Sequence, residues 1–189
     1  MTPQWHRGGT WGRDAAKLMF EEVSARAATG MGVCESERVR LMWVGRGLWS
    51  DMGFYQRWEE SHGAVFIWSM YLGLAADGYI RAFKGEQDVV RALAARFVTR
   101  GDELRMPTWS GAWHVKEARL HGVHGAVAID DADPLVLEVL RRAGVPVHQI
   151  ALSNMASNAE AVEHEVTDFM EALSIPPAGQ ADAADSHAL

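Results

Sequence analysis

The sequence predicts an α/β protein: a doubly wound, flavodoxin- or Rossmann-like parallel sheet of four strands, with helices on both faces and an N-terminal helical segment ahead of it. Three observations predict it. Four short apolar runs alternate with stretches of helical periodicity, the pattern of strand–helix–strand units. The second run, Ala64–Met70, is apolar at nearly every residue, as in a strand covered on both faces. Right-handed crossovers then leave a doubly wound sheet, taken here in the order 2-1-3-4.

Residues 1–13 are polar and glycine-bearing and are expected to be loose. Residues 13–30 place Ala15, Leu18, Met19, Val23 and Ala27 at helical spacing, and Gly30 is a natural stop. A connector, 31–37, leads into the first strand, Arg40–Val44. A helix is expected over Gly53–Ser61, then the second strand, then helices over Gln87–Thr99 and Trp109–His121. Gly125–Ile129 is the third strand. Pro134–Ala143 is the next helix, with Asp133 as N-cap, Pro134 in the first turn and Gly144 just past the end. Val145–Leu152 is the fourth strand and Asn158–Leu173 the closing helix. Residues 1–36 therefore form a helical segment and connector and 37–174 the α/β domain. The Ala-, Asp- and Pro-rich stretch 175–189 is expected to be disordered.

Composition narrows the function classes. Net charge is −7, with 25 acids against 18 bases and no basic block, so a nucleic-acid partner is not expected. The apolar run from Ala64 to Ala76 is too short to cross a bilayer and the first residues lack a signal-peptide h-region. A cytoplasmic protein without a membrane partner is the expectation. There is one cysteine, Cys34, so neither an internal disulfide nor a cysteine-rich metal site can be built from this chain alone.

Ligands of such sheets sit beyond the carboxyl ends of the strands. That rim comprises Gly45–Asp51, Ser69–Gly73, Asp130–Asp133 and Ser153–Ser157. The turn "GRGLWS" has Gly45 and Gly47, but Ser50 stands where a dinucleotide fingerprint has its third glycine, and Ser69 and Met70 stand where its acid belongs. Two readings remain for the turn: a tight strand-to-helix bend, or the lining of another kind of pocket. Trp43, Trp58 and Trp68 read as core, whereas Trp49 falls on the rim, where a large aromatic contacts a ligand or partner. The acidic run "DDADP" reads as helix capping or as a weak Mg²⁺ signature. His121 and His124 mark a helix end and turn rather than a ligand pair, His148 lies in a strand, and His164 lies on a helix.

Two segments carry a resemblance. "ERVRLMWVGRGLWSDMGFYQRWEESHGAVFIWSMYLGLAADGYIR" (37–81) and "LHGVHGAVAIDDADPLVLEVLRRAGVPVHQIALSNMASNAEAVEHEVTDFMEAL" (120–173) are similar to subunits of the 2-hydroxyacyl-CoA dehydratase and benzoyl-CoA reductase family. "HGAVAI", "DDADP", "GVPVHQI" and "DFMEAL" follow the order of that family's closing strand, loop, strand and helix. The similarity covers roughly residues 14–173, and its weight lies in order and spacing.

The resemblance implies a 4Fe-4S cluster held by thiolates, an ATP-dependent activator protein that supplies an energised electron, and an acyl-CoA substrate that is dehydrated or has its aromatic ring reduced. Two departures follow. The family's amino-terminal domain, with further cluster cysteines, has no counterpart here. Ala132 stands nearest the loop position where members carry a cysteine, and Cys34 precedes the first strand, away from the rim. The expectation is a chain that binds no cluster by itself, with the cluster on a cysteine-bearing homologous subunit or a missing domain. It would be a truncated or split product, or an accessory subunit.

The rim residues expected to meet substrate are Arg46, Gly47, Leu48 and Trp49, with Ser69, Tyr71, Ser153 and Asn154. Arg46 would pair with a CoA phosphate and Trp49 would pack on the acyl group. Two other classes stand beside this reading. One is a structural subunit that completes a partner's active site. The other is a nucleotide or effector binder on a flavodoxin-like sheet.

Overall fold

In the computed structural model, Val39–Val44 (β1) enters the sheet with β-branched and large apolar residues at nearly every position and is buried except at Arg40. The structure describes residues 9–70, 85–91, 94, 110–151, 153, 158–173 and 175. Among these, β1 joins Ala64–Ser69 (β2), Gly125–Ile129 (β3) and Val147–Ile150 (β4) in one parallel sheet, ordered β2-β1-β3-β4 as the sequence predicts.

The strand period of two sends β1 and β3 side chains alternately to two cores. Leu41, Trp43, Val127 and Ile129 face one. There they meet Phe54 of a 3₁₀ turn, Met52–Gln56, and Val162, Val166 and Met170 of the closing helix Ala159–Glu171. Met42, Val44, Ala126 and Ala128 face the other. Two helices cover them: Ser110–Leu120 with Ala118, and Pro134–Arg142 with Val136, Leu137 and Leu140. The α-helices fully bounded among the described residues are α1 (Thr10–Ala28), α2 (Glu59–His62), α3 (Ser110–Leu120), α4 (Pro134–Arg142) and α5 (Ala159–Glu171).

Local chemistry fixes the ends. Asp133 Oδ1 accepts the Leu135 N–H at 2.8 Å and Pro134 opens α4, so the expected cap forms. Asn158 caps α5 by accepting the Ala161 N–H. His124 extends the β1–β3 ladder: its N–H donates to Arg40 O at 2.8 Å, and its Nδ1 accepts the Arg40 N–H at 3.1 Å. It is a structural residue, as its place at a turn suggested.

Four differences from the sequence expectation have physical causes. The helix expected over Gly53–Ser61 is a 3₁₀ turn followed by the short α2, because Phe54, Tyr55 and Trp58 must converge on Trp43 and Phe66. A bulge between the Leu41–Phe66 and Met42–Trp68 pairs makes Ile67 the extra residue of β2. Trp68 is thereby turned to the α3–α4 face instead of following Phe66. β4 is shorter than expected, since Val145 closes the end of α4 by donating its N–H to Leu140 O. Finally, α1 begins at Thr10, and Leu18, Met19 and Val23 lie in solvent, with Gly12 its one buried residue. Of the helix expected over Gln87–Thr99, residues 87–91 and 94 are helical and the rest lie outside the described residues, as does the expected tail beyond Ile175.

Candidate functional site

In the order β2-β1-β3-β4, successive connections leave β1 and β3 toward opposite edges, so the switch point lies between these two strands. The loops after β1 and β3 meet there. Gly45 opens the first with φ +109°, a conformation glycine tolerates and other residues rarely adopt. A Cβ on Gly45 would lie 2.9 Å from Ile129 Cγ1 and 3.5 Å from Ala132 Cβ, so the turn packs flush against the end of β3.

The β1 loop is held from beneath. Trp43 Nε1–H donates to Arg46 O at 2.8 Å, and the Leu48 N–H donates to Tyr55 Oη at 2.9 Å. Trp43, Tyr55, Phe54 and Phe66 pack edge-on or tilted, which fixes both donors and acceptors. Further along, the Arg57 guanidinium pairs with Asp51 at 2.6 Å and with Glu163 of α5, tying the loop's end to the closing helix.

Arg46 Nε meets Asp131 Oδ2 at 2.7 Å, an ion pair across the switch point with side chains 54% and 40% exposed. Trp49 is 67% exposed, and its ring folds over Gly47: a Cβ on Gly47 would come within 3.1 Å of Trp49 Cε2 and Cζ2. Leu48 points inward and belongs to the core at 3% exposure, so its backbone is what it offers to the rim. Ser69 ends β2, partly buried, opposite Trp43 in register. Ser153 follows β4 and is exposed. Ser69 and Ser153 thus belong to the two edge strands of the sheet, whose axes lie roughly 14 Å apart at strand spacing. Tyr71 and Asn154 lie outside the described residues. Ala132 is a buried methyl of the α3–α4 core. Cys34, partly buried, sits in the connector at the amino end of β1, with the length of that strand between it and the rim. Among the described residues no group of three His, Cys, Asp or Glu side chains could hold a metal ion.

Sequence reading did not single out a polar stripe on α3. Ser110, His114 and Glu117, at i, i+4 and i+7, are all buried. The spacing was available in the sequence, but polar residues on a helix ordinarily face water. His114 Nδ1 lies 2.7 Å from Ser110 O, a carbonyl that can only accept, so this nitrogen carries the proton. Ser110 Oγ is 3.3 Å from the same nitrogen, which excludes a serine–histidine nucleophile in this arrangement. Burial holds the His114 pKa below its ordinary value, against the raising effects of Ser110, Asp133 and Glu117. The ring packs edge-on against Trp68 at 5.2 Å, the tryptophan that the β2 bulge redirects. Glu117 meets His121 Nε2 at 3.3 Å.

A family model described as 2-hydroxyglutaryl-CoA dehydratase, D-component, matches residues 4–173. No curated protein matches the chain.

Proposed function

The chain belongs to the 2-hydroxyglutaryl-CoA dehydratase D-component family, and from that premise we propose that it is a portion of, or a small accessory subunit in, a 2-hydroxyacyl-CoA dehydratase or benzoyl-CoA reductase system. The observation that carries the reading is the family match, which runs across all four strands, both switch-point loops and the closing helix. The site is the rim formed by Arg46, Gly47, Trp49, Ser69 and Ser153. A ligand spanning Ser69 to Ser153 must be extended, as an acyl-CoA is. Arg46 supplies a planar guanidinium suited to a phosphate, and the exposed Trp49 ring supplies an apolar wall beside it.

The family's iron–sulfur cluster does not fit the donors of this chain. Cluster iron is held by several thiolates. The sequence has one cysteine, and it lies at the opposite end of β1 from the rim. The loop after β3 offers the Ala132 methyl, packed in the core. The cluster is therefore assigned to a cysteine-bearing partner, and this chain's part is to bind and shelter the thioester. Calorimetric titration with an acyl-CoA tests this. Arg46→Ala and Trp49→Ala are each expected to weaken binding several-fold; unchanged affinity in both removes the site.

A second reading, a structural subunit with no substrate of its own, is favoured by α1, whose Leu18, Met19, Phe20 and Val23 are all exposed. Stoichiometric co-purification with a cysteine-bearing homologue, without acyl-CoA binding, selects it.

A further inference from the structure

Asp131 reaches across the switch point to the loop after β1. Ile129 and Ala132 close on the bare side of Gly45, and the Asp131 carboxylate lies beside that contact. Asp131 Oδ1 is 3.4 Å from the position of a Cβ on Gly45. Asp131 Oδ2 receives Arg46 Nε at 2.7 Å. One carboxylate thus covers the glycine and engages the guanidinium together.

We propose that the Gly45–Arg46 turn is an anion seat with Asp131 as its built-in occupant, and that a phosphate or carboxylate group of a ligand binds by displacing Asp131 from Arg46. The inference rests on the reading of the rim as an acyl-CoA site and adds a competitor to it. An ion pair this exposed opens readily. While it is closed, the Nε edge of the guanidinium is taken and its charge is offset, and apparent affinity for an anion that needs that edge falls by the fraction of molecules so occupied. Asp133, two residues on, is engaged in capping α4. To displace a tethered carboxylate, the entering anion must bring further contacts. The Trp49 ring over Gly47 is the adjacent surface that supplies them.

The test is a double-mutant cycle read by calorimetry, with CoA, inorganic phosphate and succinate as probes, on the wild type, Asp131→Asn, Arg46→Met and the double variant. Asp131→Asn is expected to tighten CoA binding about two- to fivefold, the scale of an exposed ion pair. The gain is expected to vanish when Arg46 is also replaced. Phosphate following the same order assigns the seat to a phosphate group, and succinate following it assigns the seat to a carboxylate. A gain that persists without Arg46 reflects charge removal alone and overturns the seat. Wild-type binding with no gain in Asp131→Asn overturns the seat and leaves the acyl-CoA site standing. Failure of all four proteins to bind CoA overturns both.

Discussion

Gly45 shows how one residue decides the shape of the rim. Its φ of +109° and the 2.9 Å approach to Ile129 leave no room for a methyl group. Gly45→Ala is expected to lower stability by about 1–3 kcal/mol, the cost of a strained backbone plus a forced shift, read from urea midpoints. A neutral result would mean that the turn is not held against β3. His114 makes a second residue-scale case. Burial lowers its pKa from the ordinary 6.5, and burial likewise lowers those of His124 and His148, the first aided by Arg40. A base whose folded pKa is depressed binds fewer protons folded than unfolded. The contribution is therefore whole above pH 6.5 and is lost as the pH falls below it toward the folded values. Urea midpoints are expected to drop between neutral pH and pH of about 5.5, and His114→Leu to flatten that slope. A profile equally steep in the variant would sink this assignment.

At the scale of elements, α4 was the most legible. Asp133, Pro134 and Gly144 stand at the positions that cap, start and stop a helix, and the structure uses each of them. Asp133→Ala is expected to cost about 1 kcal/mol, measured by chemical denaturation, because two first-turn effects are lost together, the side-chain acceptor and the favourable charge. No loss of stability would mean that the cap is not made in solution. The segment between β1 and β2 was less legible. Its apolar residues satisfy a helical period, yet Phe54, Tyr55 and Trp58 have to reach one aromatic cluster beneath β1, and a 3₁₀ turn with a short helix delivers them. The bulge in β2 left no mark in composition. It exists because Trp68 gains a place against Trp113 and His114 on the far face.

At the scale of the molecule, among the described residues two cores cover the faces of the sheet, while α1 buries only Gly12. Its Phe20 is 73% exposed, and a helix of this length with apolar side chains in water is a surface for association. Size-exclusion chromatography with light scattering is expected to show concentration-dependent self-association. Phe20→Glu with Val23→Glu is expected to reduce it while changing stability by less than about 0.5 kcal/mol, as for substitutions away from a core. A monomeric wild type would refute this. The sequence by itself determined the class of fold, the strand order and the caps of α4, because hydrophobic period, crossover handedness and turn chemistry are local or topological properties. It also determined the shortage of thiolates, because cysteine can simply be counted. Only the tertiary structure decided that Arg46 is engaged by Asp131, that Leu48 and Ala132 are core, that Trp68 changes face and that His114 is buried. Each of these depends on which loops and helices meet across the sheet, and pairing between distant segments is set by packing rather than by any spacing along the chain.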